Sequence, residues 1–259
     1  GCRAAAHVHP PTSAATATVA LSTAVRGRPL RAGMGSTLGR APRVDPMPGA
    51  SSAFDAPFKG VLLDLDGTHV DSIAAVERSW LRWCGEFAVD PMRLRGMHGV
   101  TAANVIEGLL QPEVREQAHQ RIREIEVADV DDIVVLPGAA ELLRALADAA
   151  VPTAIVTSGT RDLAEARIAA TGLVHPPVVV TASDVERGKP WPDPWLLGAR
   201  LLGVDPGECV VIEDSMAGLR AAREAACRGL VAVTSTTAPE ELRELAGVVV
   251  PDVAHLSTE

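Results

Sequence analysis

Six short runs rich in β-branched residues and leucine lie at 59–64, 151–157, 178–182, 209–213, 230–233 and 247–250. Longer stretches with helical spacing separate them, near 139–149, 161–171, 193–202, 216–227 and 238–246. Alternation of this kind leaves no room for hairpins. Each helix carries the chain back across a sheet, so the strands run parallel and helices cover both faces. Runs such as VVIED and VVVTASD lack polar alternation, as strands buried on both sides should. The expected fold is α/β, a doubly wound parallel sheet.

Residues 72–135 break the rhythm and hold no good strand. Ile73, Val76, Trp80, Trp83 and Phe87 recur at helical spacing, and further helices are expected near 101–110 and 113–128. This reads as an all-helical insert after the first strand, with the tryptophans on its own apolar face. The expected organisation is a tail over 1–56, a core over 57–71 and 136–259, and the insert over 72–135.

The first run ends in a puzzle: VLLDLDGT places two aspartates one residue apart and then turns at Gly67. Like charges so close repel unless something positive sits between them. In an open parallel sheet, ligands bind outside the carboxyl ends of the strands. Those ends carry Asp64 and Asp66, then Thr157 and Ser158, then Lys189 a few residues past the third run, then Glu213 and Asp214. Three or four carboxylates on one edge make a hard-oxygen site for Mg²⁺. A hydroxyl, backbone N–H groups after Thr157 and one ammonium supply what phosphoryl transfer needs, positioning and charge neutralisation.

Charge supports a local cation. Residues 1–44 hold six arginines and no acid, and the remaining 18 Lys and Arg against 33 acids leave a formal −15 on the body. Such a body has no footprint for nucleic acid or an anionic membrane surface. No apolar stretch approaches the ~18 residues that span a bilayer. The four cysteines are far apart in sequence and read as buried thiols. Lys59 and Lys189 are the only lysines.

The order DLDGT, TSG, GKP, EDS resembles the haloacid dehalogenase superfamily of phosphatases, over roughly 57–250. The insert looks like that family's small helical cap, and the body like its Rossmann-like core. AIVTSGTRDLAEAR, TASDVERGKPWPDPWLLGARLLG and ECVVIEDSMAG are similar to its sugar- and polyol-phosphate phosphatases. The resemblance implies a Mg²⁺-dependent hydrolysis of a small sugar or polyol phosphate. Asp64 would be the nucleophile that forms an aspartyl-phosphate, and Asp66 general acid and then base. Thr157, Ser158 and Lys189 would hold the phosphoryl group. Asp64, Asp66 (through its carbonyl as well), Glu213 and Asp214 would hold the metal. His98, in GMHGV, matches a cap-loop histidine that faces the substrate. His69 departs from the family's Leu or Ile and is expected on a partly exposed flap. Arg161 and Asp162 are expected to open a helix capped by Thr160, and Trp191 and Trp195 to pack.

Related chemistries fit less well. A dehalogenase lacks the second acid, here Asp66. A phosphonoacetaldehyde hydrolase needs a cap lysine, and none lies between 60 and 188. A β-phosphoglucomutase places His and Arg where this chain has Val76 and Ala102. A phosphoglycolate-type phosphatase stays open. A receiver-like, aspartate-phosphorylated protein is about half this length and lacks the insert. The partner expected is a small phosphorylated substrate, the assembly a monomer or weak homodimer, and the location cytoplasmic. The arginine-rich tail vaguely suggests organellar import, but a dispensable segment or an early start before Met34 or Met47 is preferred.

Overall fold

The computed structural model describes residues 21–22 and 58–258. The tail expectation lies outside the described residues, except that β1 (Leu21–Ser22) pairs antiparallel with β10 (Ser257–Thr258) near the other end of the chain.

The main sheet begins with β2 (Gly60–Leu63), whose successive side chains point to opposite faces. Val61 and Leu63 enter one apolar layer and Leu62 the other. The chain then forms β3 (Val70–Asp71) and crosses the insert through α1 (Ile73–Phe87), α2 (Ala102–Leu109) and α3 (Pro112–Ala128). It returns by β4 (Val134–Val135), which pairs antiparallel with β3. The expectation that 72–135 holds no strand therefore fails at its last two residues. This two-strand ladder ties together the two links between insert and core. Beyond it come α4 (Ala139–Asp148), β5 (Thr153–Val156), α5 (Arg161–Thr171), β6 (Val178–Val180), α6 (Asp193–Leu202), β7 (Cys209–Glu213), α7 (Met216–Glu224), β8 (Gly229–Val233), α8 (Pro239–Leu242) and β9 (Val248–Val250).

Six strands pair in the order β6-β5-β2-β7-β8-β9, all parallel. From β2 the chain builds outward one way through β5 and β6. It then jumps back to the other side of β2 with β7. The strand order reverses at β2, and its carboxyl end is the crevice where doubly wound folds bind ligands. Helix ends follow local chemistry. The Ser215 hydroxyl caps α7 by accepting the Gly218 N–H at 3.1 Å, and α6 stops at Gly203, whose φ of 69° ends the helix. Expected 238–246 shortens to four residues because Glu244 and Leu245 bond three residues back, a tighter turn.

The insert has its own core. Trp83 is fully buried, stacks on Phe87, meets Trp80 edge-on, and donates its indole N–H to the Ala118 carbonyl at 2.9 Å. The insert also touches the sheet domain directly. The Arg123 guanidinium of α3 lies 2.6 Å from the Asp162 carboxylate of α5, and Ser158 Oγ donates to the Gly99 carbonyl at 2.7 Å. Among the described residues, no helix is long and apolar enough to cross a membrane.

Candidate active site

Asp64 follows the last residue of β2 and is buried. Lys189 Nζ reaches it from the loop after β6, 2.5 Å from Oδ1, and the same ammonium lies 2.7 Å from Glu213 Oε2 and 3.0 Å from the Val156 carbonyl. All three ammonium protons are thus placed. Lys189 is 0% exposed, and its charge also sits 4.4 Å from the Trp195 ring centre. The other Glu213 oxygen accepts from Asp214 N, Ser215 N and Ser215 Oγ at 2.7–3.1 Å. Asp214 accepts from the Thr68 hydroxyl at 3.4 Å and from the Thr236 hydroxyl. Oxygens of Asp64, Glu213 and Asp214 all come within 4.8 Å of one another.

Three sequence motifs spaced across the chain have thus become one cluster, and residues 58–226 match the model of the haloacid dehalogenase-like hydrolases. The chain belongs to that family. Among similar proteins, hexitol phosphatase A of Escherichia coli is 42% identical over 192 residues, covering 72% of this chain and 88% of that protein. Validoxylamine A 7'-phosphate phosphatase of Streptomyces hygroscopicus is 34% identical, covering 77% and 96%. A solved hydrolase from Pseudomonas syringae superposes with a TM-score of 0.71 at 27% identity, covering 76% and 95%.

In this haloacid dehalogenase-like hydrolase, one ammonium pairs with two of three clustered buried carboxylates, so the buried charges do not balance. Burial pushes Asp64 up to about 8, with Glu213 adding to the push and Lys189 opposing it. Burial together with the charges of Glu213 and Asp64 raises Asp214 well above the usual carboxylate range. Burial also works against Glu213, but Lys189 and the Ser215 hydrogen bond outweigh it and hold that group low. Lys189 itself resists burial and stays above its ordinary value because Asp64 and Glu213 flank it. The surplus negative charge and the all-oxygen donor set fit a hard divalent cation. Both oxygens of Glu213 and both of Asp214 already accept protein hydrogen bonds, so a cation here would share these carboxylates with their donors.

Asp66 points elsewhere. Its Oδ1 lies 2.8 Å from Ser72 Oγ and 2.8 Å from Arg167 Nη1, and its Oδ2 lies 3.3 Å from Thr157 Oγ1. Gly67, at φ 81°, turns the chain so closely past Asp214 that a Cβ would overlap the carboxylate. Thr157 also receives the Gly159 N–H at 3.0 Å. The Ser158 hydroxyl is bound to Gly99, so only its backbone N–H remains to meet a phosphate. His98, beside Gly99, lines a cavity of about 510 Å³ between insert and sheet domain that also contains Asp64 and Asp66.

Some expectations need correcting. His69 is fully buried rather than on a partly exposed flap, and its carbonyl accepts the Leu136 N–H at 2.9 Å beside the β3–β4 ladder. Its Nδ1–H donates to the Asp64 carbonyl at 2.8 Å, and burial lowers its pKa to about 4, so the ring is neutral. It buttresses the backbone of the site. Trp195 packs, donating to the Gly218 carbonyl at 3.0 Å, but Trp191 is 46% exposed beneath Arg187. Arg161 does open α5, yet the Thr160 side chain bonds Asp162 at 2.7 Å instead of capping the helix.

Sequence reasoning missed Arg167, Glu126, Ser72 and the pair Ser235, whose hydroxyl donates to the Gly67 carbonyl, and Thr236. The last pair was within reach. It follows β8, and the strand-end rule applied there points straight at it. Arg167 and Glu126 carry no local signal, since each lies in an ordinary amphipathic helix.

Proposed function

We propose that this chain is a phosphatase of small sugar or polyol monophosphates, working through an aspartyl-phosphate on Asp64. The observation that carries the reading is Asp64 at the sheet's switch point, clamped by Lys189, with Asp66 two residues on and facing the same cavity. The similarity to a hexitol phosphatase supports the substrate class. A cavity of this size suits a short phosphorylated polyol.

Lys189 holds Asp64 by Oδ1, which assigns the attack on phosphorus to Oδ2. As that O–P bond forms, the ester P–O bond breaks and the Asp66 carboxyl gives its proton to the departing alcohol oxygen. In the second half, the Asp66 carboxylate takes a proton from water. The water oxygen then attacks phosphorus, the bond to Asp64 breaks, and inorganic phosphate leaves. Thr157 and the N–H groups after it orient the phosphoryl oxygens. Mg²⁺, held by Asp64, Asp214 and the Asp66 carbonyl with Glu213 behind them, would supply charge neutralisation. The helical insert acts as the cap, and His98 contacts the leaving group. Val76 and Ala102 line the cavity as apolar side chains, which disfavours binding a mutase's second phosphate there.

The test is a panel of phosphorylated hexitols, glycerol phosphates, sugar phosphates and phosphoglycolate, assayed with Mg²⁺ and with chelator. Metal-dependent turnover highest on a polyol or sugar phosphate supports the reading. Preference for phosphoglycolate, or turnover indifferent to chelator, contradicts it.

A further inference from the structure

Arg167 lies on α5, a helix of the sheet domain, and is only 4% exposed. A guanidinium that deep must be paired, since an isolated buried charge is far too costly. Its two terminal nitrogens are split between two carboxylates. Nη1 is 2.8 Å from Asp66 Oδ1, and Nη2 is 3.5 Å from Glu126 Oε1. Its Nε is buried without a hydrogen bond. A bidentate fork on one carboxylate would be the stronger arrangement, so the split shows a cation shared between two acids.

The two acids belong to different bodies. Asp66 sits at the catalytic strand end. Glu126 is 8% exposed in the last turn of α3, on the insert. The other group on Asp66 Oδ1 is Ser72, the residue just before α1 where the chain enters the insert, and Thr157 holds Oδ2. Two of the three side chains that set the Asp66 carboxylate thus answer to the placement of the insert, Ser72 directly and Arg167 through Glu126. Arg123 and Asp162, paired at 2.6 Å, link the same two helices.

We propose that Arg167 is a positioning residue for Asp66, set in turn by Glu126, so that docking of α3 on α5 fixes the carboxylate that exchanges the proton. When α3 lifts away, Arg167 loses Glu126 and is left with Asp66 alone, and the carboxylate shifts. When α3 docks, the shared cation holds Asp66 where the leaving oxygen arrives. The inference rests on the phosphatase reading above.

The experiment compares Arg167→Met, Arg167→Lys, Glu126→Gln and the double variant Arg167→Met/Glu126→Gln on a polyol phosphate. Melting temperature and the stoichiometry of a bound phosphate analogue (vanadate) count the intact sites. Arg167→Met is expected to lower kcat by about 10- to 100-fold, as for a small misplacement of a reacting group, with KM within about threefold and vanadate stoichiometry unchanged. Arg167→Lys should recover part of the loss. Glu126→Gln should cause a smaller loss and add nothing to Arg167→Met, because both act through one link. If Arg167→Met does not fold, the double variant, which leaves no lone charge buried, carries the comparison. Wild-type kcat in a folded Arg167→Met or in the double variant overturns the proposal, as do losses that multiply. Absence of wild-type phosphatase activity would instead fail the underlying reading, and the proposal with it.

Discussion

Lys189 Nζ stands 2.5 Å from Asp64 Oδ1 and 2.7 Å from Glu213 Oε2, so one ammonium joins the end of β2 to that of β7 beside it. Its removal leaves two carboxylates buried against each other. Breaking such a pair costs about 3–5 kcal/mol, and the clamp on Asp64 is lost as well. Lys189→Met should therefore lower kcat by about 100-fold or more and also lower the melting temperature. Lys189→Arg should not restore activity, because a planar fork cannot reproduce three bonds spread around one nitrogen. Steady-state kinetics and thermal unfolding on the same preparations check both. Retained kcat would remove Lys189 from the site.

Two glycines guard the carboxylates. A Cβ at Gly67 would overlap Asp214, and the residue's φ of 81° is a region that side chains rarely adopt. A Cβ at Gly218 would overlap Glu213. Gly67→Ala should raise the Mg²⁺ concentration needed for half-maximal activity by about tenfold, since a shifted ligand weakens the metal. Gly218→Ala should mainly lower stability, by about 1–3 kcal/mol, as overpacking does. Mg²⁺ titrations and denaturant unfolding separate the two effects. Equal Mg²⁺ requirements in Gly67→Ala and wild type would contradict the Asp214 assignment.

Glu126 makes stability depend on pH. Burial raises its carboxyl from 4.5 to about 7, with Asp66 adding and Arg167 opposing. The ion pair with Arg167 does not win, because that cation is also committed to Asp66. A raised carboxyl holds its proton more tightly in the fold than in the unfolded chain. Stability therefore falls as pH rises from about 4.5 to about 7 and is level above that, by an amount on the order of 3 kcal/mol. Glu126→Gln cannot ionise and should lose this component. Its stability relative to wild type should climb across the window and then flatten. A pH-independent difference in denaturant unfolding would show that Glu126 is charged in the fold throughout.

Much of this was legible along the chain, and the reason lies in how local each signal is. β7 and β2 are unbroken apolar runs, and α5 and α6 begin and end where their spacing says, since those signals are read within a few residues. Three of the four motifs were legible because each ends a strand, and the fourth, around Lys189, lies in the loop that follows one. His69 misled because its burial is a tertiary fact: its ring meets the Asp64 carbonyl and its own carbonyl meets Leu136, on the far side of the insert. Arg167 was invisible for the same reason. Its partners come from the end of β2 and from α3, far away in the chain, and Glu126 meets it only after α3 has docked on α5. The scarcity of lysine hinted that Lys189 was special, but that it is wholly buried is a tertiary fact.

On the proposed function, His98 is the residue to test for substrate choice. It lines the cavity next to Gly99, whose carbonyl is pinned by Ser158 and which a Cβ would drive into Ser215, so its loop rests on the catalytic loops. His98→Ala should lower kcat/KM on the best polyol phosphate by an amount equivalent to about 1–3 kcal/mol. An aryl phosphate, which has no hydroxyls for it to meet, should change much less. Equal losses on both substrates would mean that His98 supports the closed state in general.

The central claim is that Asp64 carries the phosphoryl group. Wild-type protein mixed with excess polyol phosphate and Mg²⁺, quenched in acid during turnover, digested and mapped by mass spectrometry tests it directly. The expected result is a hydroxylamine-labile phosphoryl group on the peptide containing Asp64, absent from Asp64→Asn, which should lose turnover as well. No label on that peptide, or full turnover by Asp64→Asn, would contradict the account.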